Sequence, residues 1–327
     1  MQFVRVSGAN NRPDRNGRGC VPYEYEIARC AISNEDWCRF LNTVGERAMG
    51  LGLWHKDMET GVLGGIARSG TSGQESASPL FVVKPGWEKK PVTYITYTGV
   101  MRYCNWLMTG DMEKGAYDLT VTPPRRLEGA KYFLPTNDEW YKAAYYDCSI
   151  VRLFGLFDWL RGKGGYWKYP TRSNEIPSQS QANYERGDCL SPLALTACPQ
   201  ESNNRTIEQS NNYFYLADVD AYADSPSPCG ALQMGGNAWE FLEDCFGNPL
   251  GNKLRGGSFG YTETGLSSAN VDFGKYDKRC YVFGARICRM KDGWHPMPKP
   301  LRYGIIQQVR NVFARCKSCV KRLPFCG

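Results

Sequence analysis

Residues 255–273 read RGGSFGYTETGLSSANVDF. Gly256 and Gly257 permit a close backbone approach beside the strand KLRGGSF, so the chain is expected to turn tightly there. A second glycine pair stands just upstream in ALQMGGNAWEF (231–241), where Gly235 and Gly236 let the backbone fold beneath the bulk of Trp239. Core architecture accounts for both pairs. The quoted stretch also lacks something: the chain has 14 cysteines, and none falls within it.

Outward from this point, three helices announce themselves by their starts. SNEDWCRFLNTV places Ser33 three residues before Asp36 and repeats Trp37, Phe40, Leu41 and Val44 on one face. TGVMRYCNWLM sets Val100, Cys104 and Leu107 one turn apart, and LPTNDEWYKAAYY pairs Thr136 with Glu139 as a capping box. Strand candidates are short: YEYEIARCAI, PVTYITY, KYFLP, KLRGGSF and CYVFGARICR. Few helices, short strands and long Gly/Ser-rich connections predict an α+β fold, not a repeating βαβ one.

At 327 residues, with 42% hydrophobic and 22% charged residues, the composition is that of a folded protein with a sizeable core. No apolar run reaches the roughly 18 to 20 residues of a membrane span. The start MQFVRVSGANNRPDRNGRG has no secretory apolar region, so the default expectation is the cytoplasm. Residues 290–327 carry eight Lys or Arg against Asp292, which is the whole net charge of +7. Any acidic partner or anionic membrane surface is therefore expected at this tail, and no specific nucleic-acid partner is expected. The tail run YGIIQQVRNVFARCKSCV has an amphipathic stripe, and SIVRLFGLFDWLRG (149–162) is an apolar insert expected to pack against it. Cys316, Cys319 and Cys326, with Cys288, are too loosely spaced to favour a zinc site over thiols or disulfides.

Six pieces stand in a fixed order: EIARCAISNEDWCRFLN, PVTYITYTGVMRYCNWL, FLPTNDEWYKAAYY, ALQMGGNAWEF, LRGGSF and VFGAR. Together, over residues 1–289, they resemble the formylglycine-generating enzyme (sulfatase-modifying factor) family, a branch of the C-type-lectin fold. The resemblance implies one such domain over 1–289 followed by a basic, Cys-containing extension over 290–327. It also implies copper chemistry at two cysteines that closely follow RGGS[FW]. Counted from Phe259, those positions hold Tyr261 and Leu266, which offer no soft thiolate to Cu(I). No copper and no catalytic residue are expected, and enzymatic function becomes the alternative reading, a formylglycine-generating-type oxidoreductase. The iron-dependent sulfoxide synthases of the family need a histidine cluster, and His55 and His295 are too few to build one.

What remains is a frame presenting a surface. The resemblance places Trp239 and Ser258 beside a groove. Tyr261, Glu263, Asp272, Phe273, Tyr276, Tyr281 and Phe283 supply the aromatic and acidic groups typical of recognition loops. A protein or surface ligand is the expected partner of residues 260–283. Lectin-fold relatives are also targets of diversity-generating retroelements, so a variable protein is a narrower form of this expectation. Structural calcium is implied too. One site would use Gln233, the carbonyls of Gly236 and Ala238, and the Glu240 carboxylate; a second would include Asn183 and Tyr184.

Overall fold

The computed structural model describes residues 1–69, 79–121, 124–150, 165–185, 215–244, 252–274 and 278–291. The apolar insert beyond residue 150, the tail beyond residue 291 with its cysteines, and Tyr276 lie outside them. The three anticipated helices are present. Asn34–Val44 is capped by Ser33, whose hydroxyl accepts from the Asp36 amide, and it stops at Gly45. Tyr97–Thr109 is capped by Thr96 and ends on left-handed Gly110. Asn137–Tyr145 carries the full Thr136–Glu139 capping box. The first two helices pack through aromatic rings: Trp37 stacks on Tyr103 at 5.5 Å, and Phe40 meets Tyr103 edge-on at 5.3 Å.

Two four-stranded sheets organise the rest. The first runs Phe3–Val6, Tyr25–Ala28, Cys288–Arg289, Tyr132–Phe133, with every pair antiparallel. Its central register sets Cys288 opposite Ile27, so residues near both ends of the domain close one sheet. The second runs Asp272–Gly274, Asn252–Arg255, Trp239–Phe241, Phe283–Gly284. Its last pair is parallel, with Trp239 opposite Phe283.

Two strand expectations change form. PVTYITY is not a strand: Pro91 makes only an isolated bridge to Ser33, and Tyr94 takes φ 59°, which breaks the pleat. Its amides instead bond singly, Val92 to the Ile32 carbonyl and Tyr94 to that of Cys280. CYVFGARICR is two strands, one in each sheet, with Arg286 between them. Among the described residues, no helix is long and apolar enough to cross a membrane.

Candidate functional site

The motif pieces NAWEF and VFGAR meet as one buried clamp. Arg286 is wholly buried and Glu240 nearly so. The guanidinium donates Nε to Glu240 Oε1 at 3.0 Å and Oε2 at 3.1 Å, and Nη2 to Oε1 at 2.9 Å. Its remaining N–H groups reach the carbonyls of Ala28, Arg29 and Leu232, each at 2.8 Å. Trp140 Nε1–H donates to Glu240 Oε2 at 2.6 Å. One ion pair thus joins the second sheet, the first sheet and the third helix, with every donor of Arg286 matched.

A second network, with Glu139 buried and Arg126 and Glu243 half-buried, was not legible as such in the sequence. Arg126 Nε donates to Glu243 Oε2 at 2.6 Å and Nη2 to Glu139 Oε2 at 3.3 Å, with the guanidinium 3.9 Å above the Phe133 ring. Burial raises the Glu139 pKa, but Arg126, the Tyr23 hydroxyl and the Thr136 amide outweigh it and hold the group below the ordinary carboxylate range. Glu243 goes the other way, pushed up by burial that the shared guanidinium does not offset. The only sequence signal was the capping-box role of Glu139.

The RGGSF turn lies against this clamp. Gly256 and Gly257 take φ 98° and 78°, and the Gly256 carbonyl accepts from the Gly236 amide at 2.7 Å. At Gly236 (φ 84°) a Cβ would lie 2.2 Å from the Asn183 carbonyl oxygen, so only glycine fits. Ser258 is fully buried and Trp239 is 1% exposed. Ser258 Oγ and Trp239 Nε1 are both buried without a hydrogen-bond partner. The Tyr261 ring stands edge-on to Trp239 at 5.0 Å and 88°. Leu266 is sealed in a small cluster with Tyr169, Ala182 and Tyr184, at the end of the single turn Glu263–Leu266.

The anticipated recognition residues divide by burial. Trp239, Ser258 and Phe283 (6% exposed) are core residues, and Phe283 packs edge-on against Phe241 at 5.7 Å. Side chains so placed do not form a contact surface; the expectation that they touch a ligand is corrected to one of support. Tyr261, Glu263, Asp272, Phe273 and Tyr281 are half-buried. Asp272 and Phe273 lie on the edge strand Asp272–Gly274, and the chain then crosses to the opposite edge at Phe283–Gly284. Residues 260–283 therefore follow the RGGSF turn and include one edge strand of the sheet.

The calcium candidates are also placed. Gln233, Gly236, Ala238 and Glu240 line one cavity of about 10 Å³, room for about one water-sized sphere. Gln233 Nε2 donates to the Asp218 and Ala221 carbonyls, and its Oε1 is buried with no partner. These residues surround one small cavity. The cavity offers a cation little free charge, because Gln233 is neutral and Glu240 is committed to Arg286. At the second candidate, Asn183 Nδ2 donates to Tyr215 O (2.8 Å) and Asn237 Oδ1 (3.0 Å), and its carbonyl accepts from the Asn237 amide (2.7 Å). The Tyr184 hydroxyl donates to the Pro177 carbonyl. These contacts describe a pinned loop. Cys30, Cys38, Cys104, Cys148, Cys229 and Cys288 are free thiols, and no group of three or more His, Cys, Asp or Glu among the described residues could hold a metal.

Two small sheets, one antiparallel and one mixed, much irregular chain and the Glu240–Arg286 clamp beneath a double-glycine turn define an α+β scaffold of the C-type-lectin-like, formylglycine-generating-enzyme type. The chain belongs to the FGE-sulfatase family, matching its sulfatase-modifying factor enzyme 1-like domain over residues 7–291. Among solved structures, the crystal structure of CarF is similar with a TM-score of 0.51 and 18% identity, covering 89% of this chain and 99% of that one. Treponema denticola variable protein 1 gives 0.45 and 15%, covering 88% and 95%. PvdO from Pseudomonas aeruginosa gives 0.41 and 15%, covering 89% and 93%. At such identities the likeness concerns the fold alone. No curated protein matches the chain.

Proposed function

We propose that this protein is a non-catalytic recognition module that binds a protein or surface ligand through the exposed side of residues 260–283. One observation carries the reading. The two positions that follow RGGSF at the spacing of the family's copper cysteines hold Tyr261, packed on Trp239, and Leu266, sealed in the core. A phenol and an isobutyl group supply no thiolate, so copper-dependent oxidation has no ligand pair there. Tyr261, Glu263, Asp272, Phe273 and Tyr281 instead offer aromatic area and directional acceptors beside an edge strand. The buried clamp supports the same reading, because a rigid base lowers the ordering cost of binding. Diversification of this segment by a retroelement is a narrower form of the proposal. Calcium, in it, is a weakly held structural ion at the Gln233 cavity, and the basic tail is a second contact for an acidic partner or membrane surface.

The test is a peptide- and protein-display selection against the full chain, run beside an oxidation assay on a cysteine-containing sulfatase peptide with added copper. Selected binders are expected to lose affinity on Asp272→Ala and Tyr281→Ala, with no turnover of the sulfatase peptide. Stoichiometric copper uptake with conversion of the peptide cysteine would select the oxidoreductase instead.

A further inference from the structure

A groove of about 750 Å³ is lined by residues none of which the sequence marked as a site residue. One wall is the loop of residues 12–16. The opposite wall includes Tyr166, Trp167 and Lys168, and the 267–269 turn closes an end. The volume is that of a ligand site and not of a packing defect.

The loop wall is pre-formed. Asp14 Oδ1 accepts from the amides of Asn16 and Arg18, each at 2.8 Å, and Oδ2 accepts from the Tyr141 hydroxyl at 2.7 Å. Buried Asn11 donates Nδ2 to the Gly19 carbonyl at 2.6 Å and to the Tyr166 hydroxyl at 2.7 Å. Arg18 Nη1 reaches the Ala269 carbonyl at 3.0 Å, so the loop is tied to the turn across from it.

The rings in the groove have their polar tips committed. Tyr141 donates to Asp14, Tyr166 donates to the Arg12 carbonyl at 2.9 Å, and Trp167 Nε1 donates to Asp147 Oδ2 at 3.2 Å. What these three rings leave for a ligand is flat apolar area. The charge is the reverse case. Arg12, Arg15 and Lys168 are exposed, and none forms an ion pair among the described residues. The single acid in the lining, Asp14, already accepts four hydrogen bonds. Asn16 and Asn174 add amides that are partly engaged, Nδ2 of Asn16 on Asp14 and Oδ1 of Asn174 on the Lys168 amide, and Ser267 and Ser268 add hydroxyls.

Rigid aromatic faces, small amides and hydroxyls, and cations without an acid partner are the make-up of a polypeptide-binding surface. We propose that this groove binds an extended acidic segment of a partner polypeptide: backbone groups meet the Asn and Ser side chains, carboxylates meet Arg12, Arg15 and Lys168, and aromatic or aliphatic side chains cover Tyr166 and Trp167. The groove borders the 260–283 segment at the 267–269 turn but includes neither Tyr281 nor the edge strand, so variants at Tyr281 and at Arg15 and Lys168 tell the two readings apart.

The test titrates the full chain with a fluorescently labelled peptide of alternating Glu and Tyr, beside the same peptide with Lys for Glu, and follows anisotropy. The acidic peptide is expected to bind, more weakly as salt rises, and the Lys peptide is not. Arg15→Glu with Lys168→Glu is expected to weaken binding by about tenfold or more, with the melting temperature unchanged because both side chains are exposed. Tyr281→Ala is expected to leave the affinity as it was. Absence of binding, equal binding of both peptides, or an affinity indifferent to the charge reversal would overturn the proposal. So would displacement of the peptide by a nucleoside triphosphate at lower concentration than by unlabelled acidic peptide, which would assign the groove to small anions.

Discussion

Replacing Glu240 by Gln tests the clamp on which the scaffold is built. The substitution keeps the volume and one acceptor but removes the charge facing Arg286, which is fully buried and meets no other carboxylate among the described residues. Removing one member of a buried ion pair costs about 3–5 kcal/mol, because the remaining charge is left uncompensated. Arg286→Met should cost a similar amount, since it strands Glu240 and leaves the carbonyls of Ala28, Arg29 and Leu232 without a donor. The double variant removes both charges, so its cost should fall short of the sum by about 2 kcal/mol or more. Urea unfolding followed by tryptophan fluorescence, with far-UV circular dichroism as the check on two-state behaviour, reads all three. With a slope of about 3 kcal/mol per molar, each single variant should lower the midpoint by more than about 1 M. A single-variant cost below about 1 kcal/mol, or additivity within about 0.5 kcal/mol, would refute the clamp as the tie between the two sheets and the third helix.

Other outcomes follow from the same structure. Gly236→Ala should destabilise by more than about 2 kcal/mol, through its left-handed backbone and the collision with the Asn183 carbonyl, whereas Gly17→Ala meets only the backbone term; equal losses would count against the collision. Lys142 is buried with its ammonium on the Gly8 carbonyl at 2.7 Å, and burial brings its pKa down to about 8. A folded-state pKa below the unfolded one means that the unfolded chain holds the extra proton between about pH 8 and 10.5, so this group's share of stability rises with pH through that window. Lys142→Met should therefore be the more stable form at pH 7, by an amount that shrinks towards pH 10; thermal melts showing a constant difference would contradict this. Calcium should raise the melting temperature only at about millimolar concentration, and Gln233→Asp, which adds the missing charge, should bring that concentration down severalfold. Identical calcium dependence of the two forms would remove the ion from that cavity.

Much of the scaffold could be read before folding, and the reason is range. Ser33 with Asp36 and Thr136 with Glu139 are contacts three residues apart, so the sequence displays both helix starts directly. The glycines of MGGN and RGGS mark backbone angles that few other residues adopt, and the absence of cysteine at 261 and 266 is a fact of the chain itself. These local features, in order, were enough for the family and the α+β class.

The rest depended on partners far along the chain. Arg286 reaches Ala28 across 258 positions, and only that closure splits CYVFGARICR between two sheets and turns Glu240 from a free carboxylate into half of an ion pair. Trp239, Ser258 and Phe283 read as surface candidates until packing buried them. The groove between residues 12–16 and 166–168 is set by neighbours about 150 positions apart, such as Arg12 and Tyr166, and no periodicity encodes it. Propensity and capping act within a few residues; burial and charge pairing are settled by which distant segments the fold brings together.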